Sequence, residues 1–135
     1  MDASKRILDD PRSPHWGDLD WSEWYPLDST GGGIGLVPRG TGIYRLQRAG
    51  HPELIYVGVS DRLRTRISNL RNGAGHSAAP CVAEHRSRGD VVEISWATVN
   101  DERRELFGLE VDLIAACRRM FGQRPACQFH GAPLE

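Results

Sequence analysis

The most constraining stretch of this chain is a pair of short β-rich runs at residues 42–59. Residues 42–48 read as one strand, with Ile43 and Tyr44 near its start. Ala49-Gly50-His51-Pro52 is a turn signal, and residues 54–59 read as a second strand, so the pair predicts a hairpin. A helix over residues 62–71 follows directly, with Leu63, Ile67 and Leu70 at spacings of four and three on one face. Asp61 is its expected N-cap, and Asn72-Gly73 with Gly75 ends it. A chain that turns back on itself and then enters a one-sided helix must lay that helix on the sheet.

The remainder extends this plan. Residues 77–88 read as a helix interrupted by Pro80. Residues 91–99 (VVEISWATV) are the clearest strand. Asn100 or Asp101 is the expected cap of a long helix ending near Phe121, with Gly122 just beyond. The order β-β-α-α-β-α implies an α+β sandwich, a small, mainly antiparallel three-stranded sheet flanked by helices. Residues 1–40 form an irregular arm broken by Pro11, Pro14, Pro26 and Pro38 and by the glycines at 31–33, and residues 41–135 form the domain proper. Trp16, Trp21, Trp24 and Tyr25 crowd into the arm, and that much aromatic surface favours packing on the domain, with contact to a partner, stacking on bases or disorder as the alternatives.

A length of 135 residues suits one domain. No apolar run approaches the roughly 20 residues of a membrane span, and the first residues have no signal-peptide pattern. A cytoplasmic protein is therefore expected. Three cysteines, Cys81, Cys117 and Cys127, are odd in number and widely spaced, which argues against a disulfide framework and fits a reducing compartment. Net charge is −1, but residues 1–40 carry −3 and residues 41–135 carry +2, and sixteen of the seventeen Lys and Arg residues are Arg. Arginine grips phosphate through a planar fork, and Arg62, Arg64, Arg66 and Arg71 cluster on one short helix.

Four side chains stand out as chemistry. Tyr44 and Tyr56 lie on neighbouring strands and can converge at one sheet edge, where a phenol beside a cation can hold or remove a proton. Of the helix arginines, Arg66 shares the face of Leu63, Ile67 and Leu70. In the last helix, Glu110 falls inside the apolar stripe of Leu106, Leu113, Ile114, Cys117 and Phe121. A carboxylate there is costly unless it snorkels, pairs with an arginine or binds a metal, and Mg²⁺ takes one or two carboxylates with water and phosphate completing its shell. His76 can reach the same edge. Cys81, His85, Cys127 and His130 could also form a zinc site, although the paired-cysteine spacing of common zinc modules is missing.

These residues bring the chain close to a known family. Residues 41–128 resemble the GIY-YIG nuclease domain, through Gly42-Ile43-Tyr44, Tyr56-Val57-Gly58, Ser60, Arg66 and Glu110 in order. Gln128 stands after Pro125, where the family usually has Asn. The resemblance implies an endonuclease that uses a single Mg²⁺ or Mn²⁺ held by Glu110. Arg66 would meet the phosphate, Tyr44 would act as general base and Tyr56 would position the water. Arg62, Arg64, Arg71, His76 and Gln128 would contact nucleic acid. The partner implied is DNA, with RNA as the alternative and no membrane. Specificity would come from the arm, from residues 72–90, from a second subunit of a homodimer or from a partner protein. Leu70 replaces a histidine or tyrosine found in some members, leaving its part to His76. Val59 replaces a lysine frequent in repair-type members, which favours a restriction or other defence role. A non-catalytic binding module on the same fold is the alternative.

Overall fold

The computed structural model describes residues 10–28, 33–73, 75–99 and 103–128, the side chains of 33 and 103–105 excepted. A single 3₁₀ turn at Trp16–Asp18 precedes β1 (Tyr25–Pro26) and α1 (Gly33–Leu36). Then come β2 (Gly42–Arg48), β3 (Leu54–Ser60), α2 (Leu63–Asn72), α3 (Ala79–Ser87), β4 (Val92–Thr98) and α4 (Arg103–Phe121). The expected caps Asn100 and Asp101, His130 and the first two of the three glycines at 31–33 lie outside the described residues.

The sheet has four antiparallel strands in the order β1-β4-β2-β3. This corrects the expectation of three. The added strand comes from the arm, where Tyr25 pairs with Ile94 and Pro26 with Glu93. A strand of two residues has no period to read, and its proline is tolerated because β1 is an edge. The Tyr25 ring stacks on Trp96 at 5.3 Å between centroids.

Two apolar layers cover the sheet. Tyr44 and Leu46 of β2 join Ile94 and Trp96 of β4 with Leu63, Ile67 and Leu70 of α2 and Val82 of α3. Ile43, Val57 and Ala97 join Leu106, Leu113 and Cys117 of α4 with Trp16 and Trp21 of the arm. Alternation along β2 thus sends Ile43 and Tyr44 of one tripeptide into different layers. The arm is further tied down by Arg45, which is fully buried. Its guanidinium lies 4.2 Å from the Trp21 ring and 4.6 Å from the Trp24 ring, and Nη1 donates to the carbonyls of Pro11 and Ser13. Burial lowers its pKa to about 9.

Three local expectations change. The N-cap of α2 is Arg62 rather than Asp61, and Ser60 Oγ accepts the Arg62 N–H at 2.9 Å. Pro80 sits in the first turn of α3, where its missing N–H costs nothing, so it starts the helix instead of interrupting it. Cys81 and Cys127 form a disulfide with a Cα–Cα distance of 5.6 Å, contrary to the expectation drawn from cysteine number and spacing. Spacing in sequence misled because the Cys127 N–H bonds the Ile55 carbonyl at 2.8 Å, which brings the segment after α4 back to the β3 edge. Cys117 remains a buried free thiol.

Candidate active site

Tyr44 and Tyr56 stand on paired strands, with Tyr44 opposite Gly58 in register and the two tyrosine rings 5.8 Å apart. The geometry explains both motif glycines. A Cβ on Gly58 would lie 2.7 Å from Tyr44 Oη and 2.7 Å from the Tyr56 ring. A Cβ on Gly42 would lie 2.6 Å from the Ala97 carbonyl oxygen and 2.7 Å from Leu63. The first glycine therefore makes room for the two rings and the second lets β2, β4 and α2 close.

His76 completes this side. It is buried, and its ring packs edge-on against Tyr56 at 5.3 Å. The Ala78 N–H donates to Nδ1 at 3.0 Å. Nδ1 is thereby an acceptor, so the ring proton of neutral His76 sits on Nε2 and is donated to Tyr44 Oη at 2.6 Å. Burial, aided by the charge of Arg66, lowers the His76 pKa to about 4, which keeps the ring neutral.

Arg66 projects from α2 and donates to the Gly75 carbonyl at 3.0 Å, anchoring the turn that leads to His76. It lies within electrostatic reach of Tyr44, Tyr56, His76 and Glu110. Glu110 comes from the opposite layer, on α4, and meets the others at the edge strand: the Val59 backbone hydrogen-bonds its carboxylate. The carboxylate is half-buried and has no ion pair among the described residues. Burial, opposed by Val59 and Arg66, raises its pKa to about 6. Burial also raises both phenols, Tyr44 well above its ordinary value; the Glu110 charge adds to the rise at Tyr56 while Arg66 works against both.

A cleft of about 410 Å³ opens beside Arg66, lined among others by Ser60, Arg62, Thr65, Asn69 and Phe107. Arg62, Thr65, Arg66 and Asn69 form one polar stripe of α2 at spacings i, i+3, i+4 and i+7. Sequence reading picked out only the two arginines, although the stripe's period was visible. It also missed Phe107, which is 48% exposed at this cleft. The other residues first assigned to nucleic acid are placed differently. Arg64 donates from Nε to the Val37 carbonyl at 2.8 Å and from Nη2 to that of Gly35 at 3.0 Å. Gln128 turns inward: Oε1 accepts the Val57 N–H at 2.9 Å and Nε2 donates to the Val57 carbonyl at 2.8 Å. Its amide thus satisfies the outer edge of β3, as a further strand would. Arg71 is half-buried at the far end of α2, where its carbonyl accepts from Arg86.

No protein-family model and no curated protein matches the sequence. Solved structures do. The GIY-YIG N-terminal endonuclease domain of UvrC from Thermotoga maritima, bound to its catalytic divalent cation magnesium, is 26% identical with a TM-score of 0.51, over 70% of this chain and 90% of that one. A tyrosine-to-phenylalanine point mutant of the same domain, bound to its catalytic divalent cation, is 25% identical with a TM-score of 0.51 over the same shares. Motif, sheet and structural likeness agree that this chain carries a domain of the GIY-YIG superfamily.

Proposed function

We propose that this protein is a metal-dependent endonuclease that hydrolyses phosphodiester bonds in DNA. The observation that carries the reading is the meeting of Tyr44, Tyr56, His76, Arg66 and Glu110 at the β3 edge, beside a cleft with an arginine wall. Glu110 suits Mg²⁺ or Mn²⁺, because it is a half-buried oxygen donor with no ion pair among the described residues. Such an ion, when bound, polarises a phosphoryl oxygen, offsets charge on the leaving oxygen and lowers the pKa of a bound water.

The chain's own residues do the rest. Arg66 faces the phosphoryl oxygens and balances the charge that grows on them. Tyr44 acts as the base in its phenolate form: the Nε2–H of His76, donated to Tyr44 Oη, stabilises that phenolate, which takes the proton of the attacking water and returns to the phenol. Because Nδ1 is occupied by the Ala78 N–H, His76 can give only that one hydrogen bond and cannot turn away. Tyr56, held against the same histidine, orients the water. Arg62, exposed at the cleft, meets a neighbouring phosphate, and Phe107 offers an apolar surface for the sugar or base. Arg64 and Gln128 support the site as scaffold, holding residues 35–37 and the β3 edge. The biological role we propose is restriction or another defence task, or other DNA processing; Val59 in place of a repair-type lysine speaks against excision repair.

The test is nicking of plasmid DNA with Mg²⁺ by the wild type and by Glu110→Ala and Arg66→Ala. Each substitution is expected to reduce cleavage by about 10²–10³-fold. Equal nicking by all three proteins would refute the assignment. Salt-sensitive DNA binding without metal-dependent cleavage would identify a binding module instead. Parallel arms with modified DNA and with RNA define the substrate.

A further inference from the structure

A second cluster of ligand-type side chains lies away from the tyrosines. Cys81, His85 and Cys127 offer one ligand atom each, and these atoms all lie within 4.8 Å of one another. Cys81 and His85 are one turn apart on α3 and so share a face. Cys127 is fully buried and is held by its own backbone bond to Ile55. Asp90 Oδ2 stands 3.4 Å from His85 Nδ1. A carboxylate that holds one ring nitrogen fixes the ring and frees the other for a metal, the usual support of a metal-bound histidine. None of these four side chains takes part in the proposed cleavage chemistry.

We propose that, in the reduced chain, Cys81, His85 and Cys127 form a Zn²⁺ site. Two thiolates and an imidazole are the donor set of a borderline-soft ion, in contrast to the carboxylate of Glu110, which suits a hard one. The pair Cys81 and Cys127 therefore has two states. A dithiol reductant takes the disulfide to two thiols and is itself oxidised to a disulfide. Zn²⁺ then replaces the two thiol protons, and water fills the fourth position. Zinc–sulfur bonds of about 2.3 Å require the sulfurs about 3.8 Å apart in a tetrahedral site. The 5.6 Å between the Cα atoms allows this by rotation of the two side chains alone. Either state ties α3 to the segment that carries Gln128, so either keeps the β3 edge beside Tyr56 covered. Selection between them rests with the thiol redox balance around the protein.

The test uses the full chain, reduced with a phosphine under anaerobic conditions and then given Co²⁺ or Zn²⁺ alone. Expected are one tightly held Zn²⁺ per chain and, with Co²⁺, the thiolate-to-metal charge-transfer band and the d–d bands of a tetrahedral centre. Asp90→Asn, which leaves all three ligands in place, is expected to weaken Zn²⁺ binding about 10–100-fold. Glu110→Gln and Cys117→Ser are expected to leave the spectrum unchanged, which separates this centre from the Mg²⁺ site and from the free thiol. The proposal is overturned if the reduced wild type gives no charge-transfer band. It is also overturned if the band survives in a folded Cys81→Ser/Cys127→Ser protein, or if the disulfide resists the phosphine.

Discussion

Glu110 offers the most direct test of how this site is built, because its charge opposes folding. Burial raises its pKa from 4.5 to about 6. Between those values the native state binds more protons than the unfolded chain, so stability falls as pH rises through the interval and then levels off. A shift of this size corresponds to at most about 2 kcal/mol. The side chain is only half-buried, and screening by solvent leaves about 1 kcal/mol. Glu110→Gln keeps the shape and can still accept from Val59, but it has no charge to bury. In EDTA the variant should match the wild type at pH 4 and exceed it by about 1 kcal/mol at pH 7.5, a rise of about 3 °C in Tm. With Mg²⁺ at tenfold over its Kd the wild type gains about 1.4 kcal/mol and the variant gains nothing, so the order reverses. Denaturant titrations at the two pH values, with and without Mg²⁺, measure all four differences. If the variant is less stable than the wild type in EDTA at pH 7.5, Glu110 is a structural partner and not an unneutralised ligand.

Three further outcomes are expected. Gly58→Ala places a methyl 2.7 Å from both tyrosines; it should cost about 1–3 kcal/mol of stability and about 10²-fold in cleavage rate through misplaced rings, read by urea titration and plasmid nicking. His76 titrates oppositely to Glu110: its folded pKa of about 4 lies below the ordinary 6.5, so the unfolded chain binds the extra proton and stability is lost as pH falls through that window. After discounting for screening, the loss is about 1–2 kcal/mol, and His76→Asn should abolish it in denaturant titrations between pH 7 and pH 4. Arg45→Met leaves the Pro11 and Ser13 carbonyls without their donor and removes the cation from between Trp21 and Trp24; about 2–4 kcal/mol should be lost, with a red shift of tryptophan emission. An unshifted spectrum would show that the arm does not depend on this contact.

How much of this was legible in the chain depended on whether a feature carried its own period. Leu63, Ile67 and Leu70 announced α2, and the same spacing singled out Arg66. Glu110 was visible as a charge in an apolar stripe, and the structure supplies the reason: α4 passes the edge of β3, where the stripe meets the Val59 backbone. What had no period was missed. β1 is too short to alternate, Arg45 looked like any strand arginine until its tryptophans were folded over it, and the disulfide joins residues 46 apart in sequence. Gln128 was assigned to nucleic acid because its motif position was clear. Its direction was not, since that is set by the Val57 N–H and carbonyl on the outer edge of β3, a strand about 70 positions away in sequence.

The protonation states of the site fit together in one way. Burial holds Tyr44 and Tyr56 as phenols, His76 as a neutral ring and Glu110 partly protonated near pH 6. Arg66 is the cation that bears on all four of these groups. Above pH 6 Glu110 carries most of its charge, so a phosphodiester entering the proposed site would meet Arg66, the neutral phenols and ring, and a carboxylate whose charge a cation would offset. The same burial leaves almost no Tyr44 phenolate to act as a base at neutral pH, since its phenol titrates well above the ordinary value. In the proposed reaction, proton removal therefore waits for positive charge near Tyr44 Oη beyond that of Arg66. A fold that placed these groups in water would lose this coupling, because each would ionise at its own ordinary pKa, and the tyrosines and Glu110 would no longer depend on one another.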